Sequence, residues 1–156
     1  MTIVALTNFI EISTSDGVVQ YRFQNSKPGQ LISYRNVDYP FLSFIYQGAA
    51  KNRTGDNLES RLVLAANELS MGYAVEAVDR NYQVRVDSCS MNPTDFTVGR
   101  TLTTEFWLAA GLSYDPETIE VLLSSGIDAV GSNAPIRVLT TNLVGALPTT
   151  AQIFNR

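Results

Sequence analysis

The sequence contains no histidine and a single cysteine among its 156 residues. The first absence removes the commonest general base and the commonest metal ligand, and with them any Ser–His–Asp or Cys–His catalytic arrangement. The second excludes a disulfide framework and a cluster of thiolate metal ligands. No run approaches the ~20 apolar residues of a membrane-spanning helix. The opening MTIVALTNFIEIS has no basic region and meets an acid at Glu11, so no secretory leader is expected. Basic residues are few and scattered, 11 Lys and Arg against 15 Asp and Glu for a net charge of −4. A surface that grips nucleic acid would instead concentrate cations on one face. The glycines build no phosphate cradle, because GAAKNRTG at 48–55 lacks the Gly-Lys-Ser/Thr ending of a P-loop.

Two further candidates for chemistry are thin. The acids do not cluster in sequence, and NVDYP and SYDPE read as turns. A glycosidase-like pair of carboxylates brought together in space stays open, but solvated faces and caps account for acids spread in this way. Cys89 falls in the alternating run YQVRVDSC, with nothing nearby to lower its pKa, and reads as a small buried or half-buried hydrophobe.

What the chain does have is apolar content, 45% against 17% charged, in a length that normally makes one domain with a sizeable core. Strand and turn patterns dominate it. NFIEISTSDGVVQYRFQN is two alternating segments around Asp16-Gly17, a strong hairpin signal, with Val19, Tyr21 and Phe23 on one face of the return strand. NSKPGQ at 25–30 is a turn. LISYRNVDYPFLSFIYQG follows, and its Pro40 belongs at a strand start, a bulge or an edge because it cannot donate to a ladder. AKNRTGDN at 50–57 is a polar loop without periodicity, and LESRLVLAAN alternates again through Leu62 and Leu64.

One segment reads as helix. After Ser70, the residues Met71, Ala74, Val75 and Val78 fall at helical spacing, and Gly72 limits the helix to two or three turns. YQVRVDSC then predicts a strand with Val84 and Val86 inward and Arg85 and Asp87 outward. RTLTTEFWLAAG predicts another, with Leu102, Thr104, Phe106 and Leu108 on one face and Trp107 on the other beside Thr103 and Glu105. The lone Trp107 either covers that second face or anchors an interface.

DPETIEVLLSSG at 115–126 gives two conflicting instructions. Asp115, Pro116 and Glu117 make a good helix start, with Ile119, Leu122 and Leu123 at helical spacing. Ile119, Val121 and Leu123 also alternate with their neighbours within strand length. The tail LVGALPTTAQIFNR loses periodicity after Pro148, yet carries Ile153 and Phe154, which a solvated tail does not need. An arm docking on a neighbouring subunit is one reading of it, so residues 1–147 are taken as the folded domain and 148–156 as a C-terminal arm. No internal repeat or composition shift suggests another boundary.

The order of these motifs resembles the minor tail protein L family of long-tailed bacteriophages, the lambda-like tail-tip hub proteins. The resemblance runs to about Leu147 and is carried by VVQYRFQN, LISYRNVDYPFLSF, LESRLVLAANELSM, YQVRVDSCSMNP and FWLAAGLSYDPETIEVLLSSGIDAVGSNAPIRVL. Within the last piece, Thr118, Glu120, Leu123, Ser125, Asp128, Pro135 and Arg137 match the family's closing strand, Asp-containing loop and Pro-x-Arg. No piece is a catalytic signature. The resemblance implies that DPETIEVLLSS is a turn followed by a strand, which the β-branched Thr118, Ile119 and Val121 support.

The implied fold is all-β with one short helix, an antiparallel β-barrel or sandwich of the tail hub and tube type. The implied function is structural and non-enzymatic: a ring, trimeric or hexameric, at the tail tip or baseplate. It would join tail tube to tip around a channel through which DNA passes without specific binding. The partners would be further copies of the chain and other tail proteins, with no membrane. The location would be the virion, assembled in the host bacterial cytoplasm. Candidate interface residues are Trp107, Arg53 in the polar loop, and Ile153 and Phe154 in the arm. The larger family members continue into a cysteine-rich extension holding an iron–sulfur cluster. TTNLVGALPTT has no cysteine, so neither metal nor cofactor is expected. The alternative from a different functional class is a small β-barrel binding module or a hydrolase with a cryptic carboxylate site.

Overall fold

A computed structural model describes residues 3–48 and 59–125. These residues are 58% strand and 11% helical, so the fold is all-β, with one helix among the described residues. The strands are β1 (Ala5–Ser13), β2 (Val19–Gln24), β3 (Ile32–Tyr34), β4 (Val37–Tyr39), β5 (Phe44–Gln47), β6 (Glu59–Ala65), β7 (Gln83–Met91), β8 (Val98–Tyr114) and β9 (Thr118–Ser124), with α1 (Glu68–Asp79) between β6 and β7. Seven of them form one sheet in the order β2-β1-β7-β8-β9-β6-β5, with every pairing antiparallel, and β3 and β4 form a separate hairpin. Among the described residues no helix is long and apolar enough to cross a membrane.

The turns follow from local chemistry. Gly17, at a φ of 88°, closes the β1–β2 turn, where Thr14 N–H donates to the Val18 carbonyl at 2.9 Å. Arg35 and Asn36 both take positive φ, 53° and 62°, the requirement of a two-residue turn whose twist matches its strands. They make a hairpin of residues 32–39, so of NVDYP, read as a turn, only Asn36 turns and Val37–Tyr39 is strand β4. Asp115 does not start a helix. Its Oδ1 accepts from the Glu117 and Thr118 N–H groups at 2.8 and 2.7 Å, and β9 follows with Ile119, Val121 and Leu123 buried. These two backbone donors, joined by the Thr118 hydroxyl, hold the Asp115 carboxyl below the usual carboxylate range.

Helix α1 is capped by Asn67, whose side chain accepts from Ser70 N–H at 2.8 Å. It ends at Asn81, in the left-handed region at φ 49°, where Tyr82 N–H reaches the Ala77 carbonyl at 2.9 Å. Its buried residues are Ser70, Ala74 and Ala77, small side chains that let it lie close against the sheet. Val75, expected on the buried face, is 38% exposed, because the inward stripe runs one position round through Ala77.

The sheet does not close into a barrel: β2 and β5 remain its edges. It is nevertheless strongly curled. One apolar cluster draws Ile10 and Ile12, Phe23, Val84 and Val86, Trp107 and Ala109, Ile119, Val121 and Leu123, Leu62 and Leu64, and Phe44 from all seven strands, together with Ala74 and Ala77 of α1. Seven flat strands would span about 29 Å at ~4.8 Å per step, too wide for one core. The edges are stitched near Gln24, whose N–H donates to the Pro40 carbonyl and whose carbonyl accepts from Leu42 N–H, both at 2.9 Å. Pro40 therefore sits just past a strand end, where its missing donor costs nothing. The helix fills the concave side of this curl.

A second, smaller core lies on the convex side. The β3–β4 hairpin covers β1 and β7 there, burying Phe9, Ile32, Tyr34, Tyr39, Cys89 and Met91. Phe9 stacks on Tyr34 with ring centroids 4.4 Å apart and meets Tyr39 edge-on at 5.1 Å. Cys89, fully buried, packs here as a small hydrophobe.

Candidate interaction surface

The first candidate for chemistry is the charged network beneath the hairpin, where the fold brings together acids that are far apart in sequence. Asp87, expected to face outward, is 1% exposed, because the hairpin covers its side of β7. It accepts from the Thr104 hydroxyl at 2.6 Å and pairs with Arg85 at 3.1 Å and Arg35 at 3.7 Å. Glu11, on the neighbouring strand, pairs with Arg22 at 3.0 Å and Arg85 at 3.4 Å and accepts from the Tyr39 hydroxyl at 3.4 Å. Burial works against the Arg85 charge, but Asp87 and Glu11 outweigh it and hold the guanidinium above its ordinary pKa. Each carboxylate is already bound to arginine on two sides. The cluster acts as a clamp: Arg35 and Tyr39 fasten the hairpin tip and base to the sheet.

Two phenol–carboxylate ties do similar work on the concave side. Glu76 of α1 accepts from Tyr21 of β2 and, at 3.0 Å, from Tyr82. The bond to Glu76, with burial second, pushes the Tyr21 phenol up to about 12, and the two phenols hold Glu76 below its usual range. Tyr46 of β5 donates to Glu105 of β8 and accepts from the Trp107 indole N–H at 2.8 Å. Burial, then the bond to Glu105, raises the Tyr46 phenol. Among the described residues no group of three or more Cys, Asp and Glu is placed to hold a metal ion.

Trp107 is thereby relocated. It is 6% exposed and belongs to the main core, paired across to Val84, so it has almost no surface to present to a partner. The grouping of Thr103, Glu105 and Trp107 opposite Thr104, Phe106 and Leu108 holds, and of the two readings of Trp107 the burial supports a cover for its face and not an interface anchor. The indole turns inward because the interior supplies an acceptor for its N–H, and Glu105 follows because Tyr46 satisfies it. Phe106 is left outside at 70% exposure. Arg53, Ile153 and Phe154, the loop 50–57, the arm 148–156, and the matching positions Asp128, Pro135 and Arg137 lie outside the described residues.

The register of the sheet defines the surface that replaces Trp107. Phe106 and Leu108 alternate on β8, Leu108 pairs with Ser124, Leu122 pairs with Arg61, and Val63 pairs with Ile45. Phe106, Leu108, Leu122, Val63 and Ile45 thus share the convex face across four strands, about 14 Å at ~4.8 Å per strand. Ile45 is 63% exposed, and Leu108, Leu122 and Val63 are half-buried. Arg61 and Glu120 lie in the same band, 3.7 Å apart, and rim an open depression of ≈ 300 Å³ formed with Gly111, Leu112, Ser113 and Leu122. The β-bulge between Ala109 and Gly111 borders this dip in the sheet. Exposed apolar side chains beside a single ion pair suit contact with another protein surface better than capture of a small polar substrate. The signal was present in sequence as the alternation of Phe106 with Leu108, but which side met the core was not.

No known protein family matches the chain, and no curated protein does.

Proposed function

We propose that the chain is a structural ring component of a bacteriophage tail, a hub or distal adaptor that joins tail tube to tip around the DNA channel. In this reading it assembles with copies of itself as a trimer or hexamer and with other tail proteins. It resides in the virion after assembly in the bacterial cytoplasm and catalyses no reaction. What suggests the family is the resemblance in motif order, which runs from VVQYRFQN through PIRVL to about Leu147. The observation that carries the reading is the band of Phe106, Leu108, Leu122, Val63 and Ile45, open on the convex face while the equivalent face over β1 and β7 is covered. Apolar side chains at the centre of such a band, with an ion pair beside them, have the composition of a protein–protein contact. The acidic balance suits a channel wall, since carboxylates repel phosphate and keep the genome mobile.

The test is assembly. Light scattering after size exclusion, with negative-stain micrographs of the eluted species, is expected to show closed rings of three or six copies. Phe106→Asp and Ile45→Asp should shift the protein to monomer while circular dichroism stays unchanged. A wild-type chain that remains monomeric at every concentration, or rings indifferent to both substitutions, would overturn the reading.

A further inference from the structure

We draw no further inference here: the strongest candidate, the apolar band on the convex face of β8, β9, β6 and β5, is the surface on which the proposed function already rests, and nothing in the structure shows what covers it.

Discussion

The two cores on opposite faces of the shared sheet are built from different materials. The concave core is mainly aliphatic, with Leu62, Leu64, Ile119, Val121 and Leu123 almost wholly buried and few specific contacts among them. The convex core under the hairpin is mainly aromatic, three rings around a thiol and a thioether, bordered by the Glu11–Arg85–Asp87–Arg35 network. Aliphatic packing is non-directional and draws its stability from area removed from water. Aromatic stacking and buried ion pairs depend on geometry and punish the loss of one partner. The concave core therefore supplies the bulk of stability. The convex core determines where one short hairpin sits, and a three-residue strand pair would not hold its place by its own hydrogen bonds.

Breaking the concave core should have the largest effect. Leu123 is fully buried at the centre of β9, and Leu123→Ala is expected to cost about 2–5 kcal/mol through lost burial and the cavity left behind. Urea denaturation should show one transition displaced for the whole domain. Two transitions would mean that the cores unfold separately.

Asp87→Ala tests the clamp and is expected to cost less, about 2–3 kcal/mol, because Arg85 keeps Glu11 and the half-exposed Arg35 can turn to water. Its signature is local. Amide exchange should accelerate across residues 32–39 well before it does in β9. Uniform acceleration would make Asp87 a general core residue rather than the fastening of the hairpin.

Tyr34→Phe sharpens the same contrast by removing one contact, the phenol lying 2.9 Å from Thr101 Oγ1. The ring still stacks on Phe9, so a cost of about 0.5–1.5 kcal/mol is expected in the same denaturation assay. A cost above that range would show that the hairpin is held by hydrogen bonding more than by stacking.

The smallest effect should come from the helix tie, which is half-buried at the edge of the fold and partly screened. The Glu76 pKa is lowered in the fold, so its contribution is present above the unfolded value of 4.5 and is lost as pH falls through the folded one. The Tyr21 pKa is raised from 10.0 to about 12, so its contribution is present below 10 and is lost as pH rises through about 12. Stability in the wild type should therefore decline at both ends. Tyr21→Phe should remove this bond's share of the alkaline decline, leaving that of the other raised phenols such as Tyr46, and weaken the acid part. An unchanged profile would mean that the Tyr21–Glu76 bond contributes nothing to docking α1.

Much of the local structure was legible from residues alone. Ile119, Val121 and Leu123 carry a period of two, Asp16-Gly17 marks a tight turn, and the helical spacing after Ser70 marks α1. Asp115-Pro116 looked like a helix start because the same side-chain acceptor that caps a helix also closes a turn. The β-branched residues after it and the neighbouring β6 and β8 decided for strand. The candidate site was not legible in the same way. Alternation placed Phe106 and Trp107 on opposite faces of β8 but could not say which face met the core. That choice depends on Tyr46, 61 residues away, offering an acceptor to the indole. Asp87 read as outward because the hairpin that buries it comes from residues 32–39, with a turn at Arg35-Asn36 that lacks glycine. The sequence by itself determined most element types, the Asp16-Gly17 turn and the absence of histidine chemistry, since these depend on residues within a few positions of one another. Only the tertiary structure decided which side of each strand is buried, which charges are clamped and which apolar face is left bare. Those outcomes follow from pairings between distant segments, and a period of two is the same read from either side.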